Sequence, residues 1–275
     1  MRVAKIDNHM RVTKVRGELK LITQNMPDTW QDLQNWTAQI LHECGIEAQT
    51  EVTLETVRGQ VEIDVLATEN VQGREHKVLI ECKNWKAKVP QNVVHGFRTV
   101  ANDIGANVGY IVSKAGFQSG AYEAAANTNI KLLTWWEFQE AFEDQWYWNH
   151  LSNQAVEQLD DLCSYLEPIP AMSAWDKYLD ETDVQRLIEL YQQHVSLGVL
   201  IFALQPYMAM LPGRRERIRL PLGDRAGEYG NLPDELTSQV GYREFFDELV
   251  RYSNPILDEF RSFRDKAFAR KAEAE

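Results

Sequence analysis

The hydrophobic period changes abruptly near residue 46, and that change restricts the possible folds more than any other feature of the chain. Up to Gly45 the apolar residues recur at helical spacing. DTWQDLQNWTAQILHECG (28–45) sets Leu33, Trp36, Thr37, Ile40, Leu41 and Cys44 along one side, with Asp28 or Thr29 placed to cap the start and Gly45 the end. Beyond it the period is two: EAQTEVTLETV alternates, RGQ supplies a turn, and VEIDVLATE alternates again, the pattern of a β-hairpin. A polar link, ENVQGREHK, leads to KVLIECKNW, whose apolar start at Val78, Leu79 and Ile80 predicts a central strand.

The pattern continues with a helix over Gln91 to Asn102, a strand over VGYIVS (108–113), a helical stretch at 117–127, a short strand from Ile130 to Thr134, and a helix opening at WWEFQEAF (135–142). Helix, three strands, helix, strand, helix, strand is an α/β order with a mixed sheet flanked by helices. From residue 146 onward the pattern turns mostly α-helical. The expected helices there are 153–166, 175–194, 195–210, 241–252 and 254–272, with a Pro- and Gly-rich stretch at 212–233 setting the last two apart. Two domains follow from this, one over 1–145 and a helical one over 146–275, with no internal repeat.

Composition narrows the function. With 275 residues and 44% apolar side chains the chain can bury a core, and its three cysteines, Cys44, Cys82 and Cys163, are odd in number and widely spaced. Neither a disulfide framework nor a zinc site is implied, and a reducing cytoplasmic setting fits. MRVAKIDNHM has no apolar run of the kind a secretory signal needs. VSLGVLIFALQPYMAML (195–211) carries no formal charge, but Gln205 and Pro206 interrupt it and it falls short of the roughly 20 residues that span a bilayer, so a buried helix is expected rather than a membrane segment. A net charge of −12 argues against a protein that holds nucleic acid by bulk electrostatics alone. A local groove remains open, because Lys77, Lys83, Lys86 and Lys88 cluster along one short stretch.

That stretch contains the sharpest chemical pattern. Side chains alternate faces along a strand, so Glu81 and Lys83 point one way, as do Glu62 and Asp64, while Cys82 points to the opposite, packed face. If the two strands are neighbours, three carboxylates and an ammonium meet, and such a cluster repels itself unless a cation neutralises it. Carboxylate oxygens suit Mg²⁺, which can polarise a phosphodiester, acidify a water and stabilise a leaving oxygen. Lys83 would orient the nucleophile or offset charge on the phosphorus. The alternative is a solvated face of ordinary cross-strand ion pairs. Ile63, Val65 and Leu66 around Asp64, and Val78 to Ile80 before Glu81, count against it, because charges in buried strands are rarely idle.

The helix WQDLQNWTAQILHECG, the strands VEIDVLA and VLIECKNW, and ANDIGANVGYIVSKAGFQSGA followed by NIKLLTWWEF together resemble the Mrr-like restriction endonucleases of the PD-(D/E)xK nuclease superfamily, over residues 28–140. The resemblance implies a restriction-endonuclease-like fold and a Mg²⁺-dependent endonuclease acting on DNA, with Mn²⁺ able to substitute. It also implies Asp64 and Glu81 as metal ligands and Lys83 as the catalytic lysine. Where the family often carries a further Glu on the first helix, this sequence has Gln34, and Glu62 is the expected compensating ligand. A restriction or phage-defence role, and a homodimer presenting two active sites to two strands, follow from the same resemblance. A catalytically silent nuclease-fold module that binds DNA or a partner, and a nuclease for branched DNA or RNA, are the alternatives.

Further candidates surround the motif. Gln91, His95 and Arg98 share one side of the following helix and are expected, with Lys86 and Lys88, to touch DNA, against the plainer reading of a solvated helix face. Ser113 and Lys114, near Gly116, form either a phosphate contact or a simple turn. Trp85 either stacks on a base or packs in the core. Trp135, Trp136, Trp146 and Trp148 are expected to seal the interface between the halves, and RRERIR (214–219) reads as a basic patch or a solvated loop.

Overall fold

A computed structural model of the protein describes residues 21–167, 175–207 and 217–274. The chain divides after Asn149 into two compact units. In the first, α1 (Trp30–Glu43) precedes β1 (Glu47–Thr56), β2 (Gly59–Val71) and β3 (Arg74–Lys83), and then come α2 (Gln91–Ile104), β4 (Val108–Ser113), α3 (Ser119–Ala125), β5 (Ile130–Thr134) and α4 (Trp135–Trp146). The five strands lie side by side in chain order, β1–β2–β3 antiparallel and β3–β4–β5 parallel. This is the mixed sheet flanked by helices that the period changes predict.

The polar link expected at 69–77 is instead the end of β2 and the start of β3, joined by a two-residue turn at Gln72 and Gly73 with φ of 52° and 80°. Positive φ at both central residues gives a turn whose twist matches the flanking strands, which is why so polar a segment still forms a ladder. Crossovers through α2 and α3 let β4 and β5 run parallel to β3.

One face of the sheet packs on α2 through Leu79, Ile111 and Ile130 against Val94, Phe97 and Ala101. Gly109 is part of this contact: a Cβ there would meet the ends of the Phe97 and Ile130 side chains at 2.7 Å and 2.8 Å, so a larger residue would have to displace both. Elsewhere α1 and α4 pack on each other through Trp36 and Trp135, whose ring centroids are 6.0 Å apart. The segment before α1 is tied down at four points. Thr23 N–H donates to Gln139 Oε1, the Trp135 indole N–H to Asn25 O, Lys114 Nζ to Pro27 O, and Asn84 Nδ2 to Asp28 O. Thr29 and Asp32 then close a capping box on α1.

Trp135 and Trp146 are fully buried, and each has a partner within the first unit: the Trp135 indole donates to the Asn25 carbonyl and the Trp146 indole to Glu43 of α1. Trp136 and Trp148 are half-buried.

The second unit is helical: α5 (Ser152–Leu166), α6 (Glu181–Leu204), a short α7 (Asp234–Thr237) and α8 (Tyr242–Ala274). Two expected breaks are absent. The helices read at 175–194 and 195–210 are one helix, α6, beginning at Glu181 behind an Asp180 cap and ending at Leu204; residues 208–211 lie outside the described residues. The pair read at 241–252 and 254–272 is one helix of 33 residues that contains Pro255. Proline removes one backbone donor, but Leu249, Ser253, Ile256, Leu257 and Phe260 stay buried across it, so packing carries the helix through.

Among the described residues α6 is the one helix long and apolar enough to cross a membrane by length and composition. Its Leu187, Leu190, Leu197, Leu200, Ile201 and Leu204 are buried within the helical unit, and Gly198 admits Leu166 of α5, which a Cβ would meet at 2.7 Å. The basic run at 214–219 lies outside the described residues up to 216; of the rest, Ile218 is buried and its carbonyl accepts the Tyr242 hydroxyl.

Candidate active site

Asp64, Glu81 and Lys83 meet at the point where the sheet splits. The β2–β3 ladder runs from Val71↔Arg74 to Val65↔Ile80 and stops, so the next residues on the two strands are Asp64 and Glu81. The ladder on the other side of β2 is interrupted at the same step: Thr50↔Val65 and Val52↔Ile63 pair, but between them Glu51 stands at φ 56°, in the left-handed region. A non-glycine residue held there costs of order 1 kcal/mol or more and persists only where its surroundings impose it. Nothing in the alternating pattern of β1 signals this feature, and sequence reasoning missed it.

The split frees Asp64 from sheet pairing and gives its carboxylate two new donors. Oδ2 accepts the backbone N–H of Cys82 at 2.7 Å, and Oδ1 accepts Gln34 Nε2 from α1 at 2.8 Å. Glu81 forms an ion pair through Oε1 with Lys83 Nζ, and both side chains are mostly buried. Lys83 Nζ also lies 5.5 Å from the centroid of the Trp85 ring, within cation–π range. Cys82, between them, turns to the packed side as strand alternation requires, 4.0 Å from Thr37 Oγ1 on α1.

Electrostatics marks Glu81 as the stressed member. Burial, and then the charge of Asp64, push its carboxyl above the ordinary value of 4.5, and Lys83 only partly offsets this. Folding thus favours the protonated acid. The sign of the consequence follows from linkage: this contribution to stability is fully present below the ordinary value and is lost as pH rises through the raised one. We expect the difference in melting temperature between Glu81→Gln, which keeps an acceptor for Lys83, and the metal-free parent to grow in the variant's favour as pH rises above the ordinary carboxylate value. A difference that is constant with pH would show that Glu81 is not strained.

Glu62 does not join the group. It is exposed and pairs with Thr53 of β1, because β2 has left β3 by that point. Among the described residues no three His, Cys, Asp or Glu side chains are grouped to hold a metal ion. The expected convergence of three carboxylates is therefore corrected to two, with Gln34 in contact with Asp64.

The flanking candidates sort by exposure. Lys86 and Lys88 are exposed, and Trp85 is 43% exposed, so it is not a core residue. Gln91 and His95 are on the exposed part of α2 and Arg98 is half-buried; the Gln91 side chain lies over Gly120 of α3. Ser113 closes a turn, its hydroxyl bonded to both the N–H and the carbonyl of Gly116, and Lys114 is committed to Pro27. Ser113 ends the strand that Lys83 pairs with, so this turn supports the end of β3.

Residues 26–142 match the family model Mrr_cat, described as a restriction endonuclease. The N-terminal half is an Mrr-like restriction endonuclease domain. The match spans α1 through most of α4, so the Asp64–Glu81–Lys83 group lies inside the Mrr-like domain and the helical unit lies outside it. None of the curated proteins compared matches the chain. A solved structure described as that of a protein of unknown function, AF1548, aligns over 61% of this chain and 98% of its own, at 18% identity and a TM-score of 0.37.

The donor set suits a hard divalent cation. Asp64 accepts two hydrogen bonds where a carboxylate offers about four lone-pair positions, and Glu81 is short of neutralising charge. Two carboxylates with water and phosphate oxygens make an ordinary Mg²⁺ environment.

Proposed function

We propose that the Mrr-like domain is a metal-dependent endodeoxyribonuclease of the restriction or defence type, in which Asp64 and Glu81 hold Mg²⁺, or Mn²⁺ in its place, and Lys83 is the catalytic lysine. The observation that carries this reading is the meeting of Asp64, Glu81 and Lys83 at the end of the β2–β3 ladder. The cation supplies charge to polarise the phosphodiester and to stabilise the leaving oxygen.

The chain's own residues do the rest. Asp64, fixed by two donors, and Glu81, fixed by Lys83, present oxygens on a rigid strand end rather than on a mobile loop. Lys83 is held between Glu81 and the Trp85 ring, so its ammonium is positioned to orient an attacking water and offset the charge gathering on the phosphoryl oxygens. The burial of both side chains strengthens that interaction by excluding water.

Incubation of supercoiled plasmid with the protein and Mg²⁺ or Mn²⁺ tests the reading: the parent is expected to nick or linearise it and Asp64→Ala to leave it intact. A parent that cuts under no condition, or an Asp64→Ala variant that cuts as well, overturns it.

DNA is the proposed partner, with Lys86 and Lys88 touching phosphates beside Trp85, and Gln91, His95 and Arg98 reaching the duplex further along α2. Salt dependence measures the lysines' part. The slope of log K against log salt should shrink by about 0.9 for every phosphate of duplex DNA that a variant no longer neutralises. Binding of the Lys86→Glu, Lys88→Glu double variant, followed by fluorescence anisotropy across salt concentrations, is expected to be weaker and less steep; an unchanged slope removes both residues from the interface.

The helical unit, taken as 146–275, is proposed to serve recognition, control or the homodimer contact needed to cut two strands. A reducing cytoplasm is the proposed setting, and it suits three cysteines that are free and buried.

A further inference from the structure

One of the two hydrogen bonds to Asp64 comes from a side chain whose sequence signal pointed the other way. Gln34 is an amide in a helix position that is 5% exposed, a costly place for a polar side chain without a partner. Its Nε2 donates to Asp64 Oδ1 at 2.8 Å while the Cys82 N–H donates to Oδ2 at 2.7 Å. One donor on each oxygen, from α1 on one side and β3 on the other, stops the carboxylate from rotating. Each oxygen keeps a free lone pair whose direction is set by the protein and not by solvent.

The neutrality of Gln34 matters as much as its reach. An acid of the same length would place a third carboxylate within hydrogen-bonding distance of Asp64. As it stands, two carboxylates and the Lys83 ammonium make a group of net charge −1, which one divalent cation more than balances. A second cation has no carboxylate left to hold it, since Glu62 is elsewhere and no third acid joins among the described residues.

We propose that Gln34 is a positioning residue that locks the Asp64 carboxylate for one divalent cation shared with Glu81, and that its neutral amide limits the site to that single ion. The inference rests on the metal-dependent reading above. It adds two things to it: a residue from α1 that tunes metal affinity without touching the metal, and a stoichiometry.

Mn²⁺ binding to the full chain, measured by the loss of the free-ion electron paramagnetic resonance signal into the millimolar range, tests it in the absence of DNA. The parent is expected to take one Mn²⁺ per chain. Gln34→Met, of similar length but without a donor, should keep that stoichiometry and bind about tenfold more weakly, the scale on which residues supporting metal ligands act. Gln34→Glu, which keeps the size of the side chain and adds a third carboxylate, should take two.

Parental affinity in Gln34→Met overturns the positioning role, and two ions in the parent, or one in Gln34→Glu, overturns the argument from the number of carboxylates. A parent that takes up no Mn²⁺ and cuts no plasmid removes the metal-dependent reading itself and this inference with it, a result distinct from either of the others.

Discussion

Lys83→Ala is expected to fold like the parent and to cut DNA at least about 10²-fold more slowly, the usual scale for losing a positioned proton-transfer or charge-stabilising group. The fold should survive because Lys83 is the last residue of β3 and contributes to the sheet through its backbone, which pairs with Ser113 and accepts the Lys114 N–H. Its side chain contributes an ion pair to Glu81 and a contact with Trp85, and neither anchors the core. The variant therefore separates chemistry from stability: circular dichroism and melting should match the parent within a few degrees while plasmid cleavage disappears. Lys83→Arg should not rescue it, since a planar guanidinium needs a different geometry from a compact ammonium. Cleavage by Lys83→Ala at the parental rate would remove the lysine from the mechanism.

The largest effect on stability is expected from Trp135→Ala. Trp135 is fully buried, packs against Trp36 of α1 and stacks on Phe138, and its indole N–H satisfies the Asn25 carbonyl. Truncating a buried tryptophan costs about 3–5 kcal/mol, and losing the hydrogen bond to the Asn25 carbonyl adds about 0.5–1.5 more. Against a total stability of about 5–15 kcal/mol for a domain, that removes a large share of the margin. The midpoint of urea unfolding of the N-terminal unit should fall sharply, and Trp135→Phe should fall less because it keeps most of the packing. The damage should reach the active site as well. Trp135 holds both α1 and the segment before it, and α1 carries Gln34. An unchanged urea midpoint in Trp135→Ala would mean that the α1–α4 contact is dispensable.

The two predictions draw on information of different kinds, and the same division runs through the whole fold. Strand alternation is a local property, so the sequence alone was sufficient to put Glu81 and Lys83 on one side of β3 and Cys82 on the other, and the structure agrees. The 3.6-residue pattern of α1 and its start at Asp28 or Thr29 were legible for the same reason, and the structure settles the cap on Thr29. The polar turn at Gln72–Gly73 was not, because a two-residue turn depends on backbone angles and leaves no apolar signal. In the helical unit, the helix ends expected near residues 195 and 253 are likewise absent. They are overridden because burial of one continuous face outweighs a single lost hydrogen bond or a weak local preference.

What the sequence by itself determined is the order of elements in the first unit, its mixed sheet and the pairing of an acid and an amine two residues apart on a buried strand. Only the tertiary structure decided which other side chains share that spot. Glu62 and Asp64 have the same strand parity, yet one is lost to β1 and the other kept, because the ladders on both sides of β2 break at Asp64 beside a left-handed Glu51. Gln34 arrives from 30 residues away in the chain because packing on Trp135 aims its helix there. Parity belongs to one strand taken alone, whereas the place where a strand leaves its neighbour depends on everything packed against both.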